Sequence, residues 1–302
     1  MYKGLNKIAL TFDLDDWYHT PLISGSNFSH FKNLDEFFQY WGEKEYDFVT
    51  EPTLELLHIL KNYGIKATFF IIADMIDRYP VLVEALKSSG HEIAHHSLNH
   101  TIPIHTKTKK QIQSKELWEE EFVTALNKIE NTFDKSVLGY RAPGAYIDSW
   151  MLKVISKYDI KYDSSIAVNS FFNKTNFDFK NFPDHPFKIS DTGNHDLNGK
   201  LTEIPWLNYS LGGIKFPAGG AFFFRLLGYN YFKKALIQKL NQGDTVFYLH
   251  ALDLNNKKFP MSNNLNRPFY WINKGNYTYR RFIKLLEYFK SNFVPAKELI
   301  LN

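Results

Sequence analysis

The sequence predicts an α/β fold with a mainly parallel sheet, organised as one domain of barrel size, and two observations carry that expectation. Short apolar runs of strand length alternate with amphipathic stretches of helical period along the whole 302-residue chain. Unusual polar residues then sit where the apolar runs end: Asp13, Asp15 and Asp16 after the first, His96 and His100 after the third, Arg141 after "LGY", and His250 after "VFYL". In parallel α/β sheets and barrels, sites form at the carboxyl ends of strands, so four separate runs point at one place.

Taken in order, Ile8 to Phe12 is apolar and β-branched and reads as a buried strand running into "DLDDW". An irregular aromatic stretch follows, over residues 17–48. "TEPTLELLHILKNYG" is an amphipathic helix: Thr50 caps it, Pro52 lies in its first turn, Leu54, Leu57 and Leu60 share a face, and Gly64 stops it. "KATFFII" is a strand, "YPVLVEALKSSG" a helix closed by Gly90, and "HEIAHH" a third strand. The alternation continues through a long helix at "ELWEEEFVTALNKIENTF", a strand at "SVLGYR", a helix at "DSWMLKVISKYD", and strands at "IKYDSS" and "LTEIPW". A helix at "YNYFKKALIQKLNQG", the strand "DTVFYLH", a helix at "YTYRRFIKLLEYFKSNF" and a short terminal strand complete it, with loops over 170–200 and 253–276. No repeat or linker divides the chain, so residues 1–302 are expected to form a single domain.

Composition narrows the function. Cysteine is absent, which excludes thiolate chemistry and leaves His and carboxylate as the only side chains for a metal. The formal charge of +4 is small and dispersed, so nucleic acid is not an expected partner. The first residues, "MYKGLNKIAL", hold no apolar stretch with a cleavage site, and no run is long enough to span a bilayer; a cytoplasmic protein without an integral membrane segment is expected.

"HHSLNH" contains two histidine pairs at i,i+4 spacing. If "HEIA" is a strand, His91 and His95 lie roughly 13 Å apart and share no ion. His96 and His100, in the turn beyond it, approach to about 6 Å, which suits two Nε2 ligands on one ion, with an aspartate as third ligand. A rival is the zinc-peptidase signature H-E-x-x-H, matched by His91 to His95 with Glu119 to Glu121 downstream, but that motif belongs inside a helix and Gly90 has just ended one. Strand period puts Asp13 and Asp15 on one face and Asp16 on the other. Beside a dication, one carboxylate coordinates while another stays free to take a proton from water. Arg141, held by the turn-forming Pro143 and Gly144, is suited to keep Asp13 ionised and oriented, and His250 to act as a general acid.

Together these residues resemble the NodB-homology polysaccharide deacetylases, carbohydrate esterases that remove acetyl groups from glycans. "TFDLDDW" resembles the first of five ordered motifs, usually TFDDG; "HSLNH" fits H-[ST]-x-x-H; "RAPGA" resembles R-x-P-x-G; "YDSSI" and "LTEIPW" fall where the fourth would; "YLHALD" resembles the last. The flavour is similar to a branch containing allantoinase-like and peptidoglycan-deacetylase-like proteins. The resemblance implies a distorted (β/α)7 barrel and N-deacetylation of a carbohydrate in surface-polysaccharide metabolism. It implies a divalent ion, Zn²⁺ first with Co²⁺, Ni²⁺ or Mn²⁺ as alternatives, on His96, His100 and either Asp15 or Asp16. Asp13 is then the base oriented by Arg141, His250 the acid, and Trp17, Pro143, Gly144 and Trp206 the substrate contacts. An allantoinase-like amidohydrolase is the alternative, and an inactive glycan-binding protein a more distant one. Three departures stand out: two extra residues between the outer aspartates, Ala145 in place of a glycine, and no recognisable Asp-Trp pair in the fourth motif.

Overall fold

The computed structural model describes residues 6–19, 39, 46–168, 171, 174, 175, 177, 182–259 and 270–301. Most of the expected aromatic stretch at 17–48, and parts of the two long loops, lie outside the described residues.

Nine strands of the described residues form one sheet: β1 (Ile8–Leu14), β2 (Thr68–Ile71), β3 (Glu92–His95), β4 (Gly139–Tyr140), β5 (Tyr162–Asp163), β6 (Phe187–Ile189), β7 (Leu201–Glu203), β10 (Thr245–His250) and β11 (Phe293–Val294). Strands β8 (Asn208–Leu211) and β9 (Ile214–Pro217) make a separate hairpin. The main order is β10-β1-β2-β3-β4-β5-β7-β6, with β11 also on β1. Seven strands from β10 to β7 run parallel and β6 closes antiparallel on β7. This is the expected distorted (β/α)7 barrel as a curled sheet. The distortion is an opening: among the described residues no ladder joins β7 to β10, and the gap is bridged by rings, Trp206 against Tyr248 with centroids 4.6 Å apart.

Helices α1 (Thr50–Tyr63), α2 (Met75–Arg78), α3 (Pro80–Ser89), α4 (Lys115–Phe133), α5 (Ser149–Ile155), α6 (Ala221–Leu240) and α7 (Asn276–Phe289) connect the strands. Every residue of β1 is buried, as expected for a strand covered on both faces; Phe12 stacks on Phe69 at 5.2 Å and meets Phe282 edge-on at 5.8 Å. Burying each such phenylalanine stabilises the fold by about 1.5–3 kcal/mol. Gly64 and Gly90 end α1 and α3 in the left-handed conformation, as their positions predict.

Several details differ from the sequence reading. Strand β1 continues through Asp13 to Leu14 rather than stopping at Phe12, because the carboxylate is satisfied inside the barrel. Helix α1 buries Thr53, Leu56, Ile59 and Leu60, while Leu54 is exposed; the inward face is turned from the expected Leu54-Leu57-Leu60 stripe. Asp47, not Thr50, supplies the cap, accepting from the N–H groups of Val49 and Thr50 at 3.2 and 2.9 Å. Strand β6 and the β8–β9 hairpin were not anticipated. Helix α6 starts eight residues before its expected "YNYF" segment, because Gly228 (φ 74°, ψ −172°) breaks the helical phase within it. Residues 92–95 pair in parallel with β2, so H-E-x-x-H lies on a strand and the peptidase alternative is removed. No helix among the described residues is long and apolar enough to cross a membrane.

Candidate active site

Parallel pairing brings the carboxyl ends of the strands together. Asp13 of β1 is the direct partner of His250 at the end of β10, and His95 of β3 is the partner of Tyr140, next to Arg141. Arg141 is wholly buried. Its Nη1 donates to Asp13 Oδ1 at 2.6 Å and to Thr11 Oγ1 at 3.0 Å, Nε donates to the Ser164 carbonyl, and Nη2 to Ser164 Oγ. The guanidinium lies between two aromatic faces, 4.1 Å from the Phe70 ring centroid and 5.1 Å from that of Tyr248. Asp13 is therefore a carboxylate fixed on one oxygen by a cation that has no rotational freedom left.

The three aspartates of "DLDD" differ. Asp16 has both oxygens engaged: Oδ1 accepts from Trp17 N–H at 2.7 Å, and Oδ2 from Phe48 N–H at 2.9 Å and Tyr79 O–H at 3.0 Å. That carboxylate holds the turn after β1, which corrects the expectation of Asp16 as an alternative ion ligand. Asp15 Oδ1, by contrast, is buried and has no donor among the described residues, with His250 Nε2 3.9 Å away. Burial, then the Asp13 charge, push the Asp15 carboxyl well above the usual carboxylate range. A cation beside it would relieve both effects.

Backbone hydrogen bonds set the histidine tautomers. His96 Nδ1–H donates to the Arg141 carbonyl at 2.7 Å, and His100 Nδ1–H to the His19 carbonyl at 2.8 Å, so each Nε2 carries a free lone pair; the two rings lie 5.1 Å apart. Burial pushes both down to about 3, so both are neutral at pH 7 and chemically fit to ligate. His19, which the sequence reading missed, sits 6.4 Å from His100 and is equally buried, but with the opposite tautomer. Its Nδ1 accepts the Asp16 N–H at 2.8 Å, which puts its proton on Nε2 and makes that atom a donor rather than a ligand. His100 (φ 65°) and Ser97 (φ 76°) both hold left-handed backbone, and so does Ala145 (φ 64°) where the family pattern has glycine. Such strain costs about 1–3 kcal/mol per residue and gathers at functional sites.

His250 is oriented by Asp253, another residue that was missed. Asp253 Oδ2 accepts from the His250 backbone N–H at 2.8 Å and from its Nδ1–H at 3.2 Å, leaving Nε2 towards Asp15. Asp253 is itself ion-paired with Arg225, both fully buried, and Arg225 stands over the Tyr270 and Trp271 rings. Burial lowers His250 to about 3, and the Arg225 charge adds to this. A lone arginine inside "AFFFRLLG" was the available signal for a buried partner.

The residues expected to touch substrate divide. Trp17 is core, its Nε1–H donating to the Tyr46 carbonyl at 3.1 Å, so that expectation is corrected. Trp206 donates Nε1–H to the Ser164 carbonyl at 2.8 Å and lies against Tyr248 at the rim of the sheet opening. Pro143 is buried and Gly144 half-buried in a 3-10 turn next to Arg141, with Gly144 left-handed at φ 59°. Among the described residues no three His, Asp or Glu side chains stand close enough to enclose an ion as they lie. The orphaned Asp15 oxygen and the two free imidazole Nε2 atoms are nevertheless the donor set a borderline divalent ion takes.

The fold and this arrangement define an α/β barrel of the strand-end-site class. Comparison with known families assigns it further: residues 44–162 match the polysaccharide deacetylase model, and residues 164–300 match a domain of unknown function, DUF3473. Over residues 44–162 the chain is thus similar to the polysaccharide deacetylases. It is 31% identical over 101 residues to the peptidoglycan-N-acetylglucosamine deacetylase of Bacillus cereus, a match covering 33% of this chain and 44% of that protein. Two solved structures share the fold: a probable polysaccharide deacetylase from Pseudomonas aeruginosa PAO1 (TM-score 0.54, 12% identity, 98% of this chain and 90% of that one) and Puue allantoinase (TM-score 0.57, 14% identity, 99% and 90%). The boundary between the two matched models falls at residue 163, within β5 and so inside the continuous sheet.

Proposed function

We propose that the protein is a metal-dependent N-deacetylase acting on a sugar in a glycan or glycan precursor. The observation that carries this reading is the buried Arg141–Asp13 pair set among histidines whose Nε2 atoms are free of backbone hydrogen bonds. Asp15, His96 and His100 are the proposed ligands of the ion, Zn²⁺ or a similar divalent metal. When bound, the ion supplies Lewis-acid polarisation of the acetyl carbonyl and of water.

The remaining work falls to the chain. Asp13, fixed by Arg141, takes the proton of the attacking water as its oxygen bonds to the acetyl carbon. In the adjoining turn the Ala145 and Tyr146 N–H groups are spent on the Ala142 and Pro143 carbonyls, so the Gly144 N–H is the donor proposed for the developing oxyanion. The C–N bond then breaks and the amine nitrogen receives the proton that came from water. His250, whose Nδ1–H is held by Asp253, presents an Nε2 lone pair and serves as the carrier of that proton rather than as an acid already charged.

The test is acetate release by zinc-loaded protein from a panel of oligomeric and nucleotide-linked N-acetyl sugars. Asp13→Asn should retain zinc and lose about 10²- to 10⁴-fold in rate. Absence of acetate across the panel would sink the reading, and turnover of a small ureide without any acetate would transfer it to the amidohydrolase alternative.

A further inference from the structure

Beneath the Arg141 turn lie two carboxyl groups that the proposed reaction does not use. Asp163 of β5 and Glu203 of β7 are direct cross-strand partners, and both are fully buried. Asp163 Oδ1 accepts from Ser165 Oγ–H at 2.7 Å and Oδ2 from Ser165 N–H at 3.2 Å. Glu203 Oε1 accepts from Ile166 N–H at 3.0 Å. The remaining oxygen, Glu203 Oε2, has no hydrogen-bond partner among the described residues, and Glu203 stands directly opposite Asp163 across the β5–β7 ladder. Two carboxylates cannot bond to one another, but a carboxylic acid and a carboxylate can.

We infer that Asp163 and Glu203 share one proton, and that this singly charged pair is a positioning device for the turn carrying Arg141 and Gly144. The link to the turn is covalently short. Ser165 Oγ, which gives its hydrogen to Asp163, accepts the Ala142 N–H at 2.8 Å, and Ala142 stands between Arg141 and Pro143. The neighbouring Ser164 receives two of the Arg141 hydrogen bonds. Losing the anion on Asp163 would free the Ser165 hydroxyl to rotate and release the Ala142 N–H.

The surroundings agree with a shared proton. Burial, then the Asp163 charge, hold the Glu203 carboxyl well above its usual range. Just beyond β4, Arg141 acts through space to favour the charged form of both groups, and the buried Tyr140 hydroxyl, without a hydrogen-bond partner among the described residues, is held protonated by burial and by the Asp163 charge. One net negative charge beside Arg141 is supportable in this interior; two are not.

Infrared difference spectroscopy and pH-dependent melting test this without any substrate. At pH 8 the wild-type protein should show a protonated carboxylic acid C=O stretch that is lost in Glu203→Gln, whose amide keeps the donor to Asp163. Because the folded state holds a proton that the unfolded chain releases above the ordinary glutamate range, this contribution is complete at low pH and is lost as pH rises. The folding equilibrium of Glu203→Gln relative to wild type should therefore improve with pH, by at most about tenfold per unit. In Asp163→Asn the midpoint of the Glu203 band should fall. Identical wild-type and Glu203→Gln spectra, or a Glu203 midpoint that Asp163→Asn leaves unmoved, would overturn proton sharing. The service to Asp13 rests on the deacetylase reading and is read separately: Glu203→Gln should keep kcat, whereas Glu203→Ala should lower kcat more than it raises KM. Loss of acetate release in the wild type alone would count against the enzyme reading and leave the proton sharing standing.

Discussion

At the level of single residues, what separates the histidines of this site is which ring nitrogen the backbone has already claimed. His96 and His100 each give Nδ1–H to a carbonyl and keep Nε2 free, while His19 receives an N–H at Nδ1 and cannot offer Nε2 to an ion without a second deprotonation. Zinc measured on purified variants should reflect this: His96→Ala and His100→Ala lose stoichiometric metal, while His19→Ala keeps it, weakened at most about 10- to 100-fold by loosening of the turn whose His19 carbonyl holds His100. Equal loss in all three would refute the tautomer assignment. Asp13, Asp15, His96, His100, Arg141 and His250 were legible in the sequence because each is a polar residue at the end of an apolar run. His19 and Asp253 were not, because their roles depend on chain reversals after β1 and β10 that bring residues three apart into hydrogen bonding, and spacing alone does not reveal which short polar pairs reverse. Trp17 was misread for the opposite reason: an aromatic beside an acidic motif fits a sugar platform as well as a core, and only its bond to the Tyr46 carbonyl decides.

At the level of elements, strands β1, β2 and β3 and helices α1, α3, α4 and α7 could be read from periodicity, since each is long or bounded by a left-handed glycine. The two-residue strands β4 and β5 were visible only as parts of longer apolar runs, and the β8–β9 hairpin carries half-exposed side chains with no strong alternation. Strand β4 depends on close packing at Gly139: a Cβ there would lie 1.9 Å from the Tyr162 ring, and that ring is itself buried with its hydroxyl on Glu92. Gly139→Ala should cost about 1–3 kcal/mol by overpacking, seen as a lowered denaturant midpoint, and should reduce activity further by displacing Arg141 two residues on. A variant with unchanged midpoint would show that Tyr162 can move aside.

At the level of the whole molecule, we propose that the segments matched by the two family models fold as one unit. Strand β5, where they meet, is hydrogen-bonded to β4 on one side and β7 on the other, and β1 is flanked by β10 as well as β2. A fragment ending at residue 163 would lack β7, β10, β11, His250 and Asp253, and would leave one hydrogen-bonding edge of β1 and of β5 unpaired. Thermal unfolding of the full chain should be a single transition, with calorimetric and van't Hoff enthalpies in agreement. The fragment should fail to give a cooperative melt, and two separable transitions would contradict a single unit.

The pairing of β1 with β10 and β11 also has a consequence for how the chain is made. Strand β1 meets β2 at residues 68–71, but its partners at residues 245–250 and 293–294 come more than two hundred residues later in the sequence. Until those partners are made, a largely apolar strand waits with an unpaired hydrogen-bonding edge, so the sheet around β1 is completed late in folding, and the nascent chain must be kept from associating through that edge.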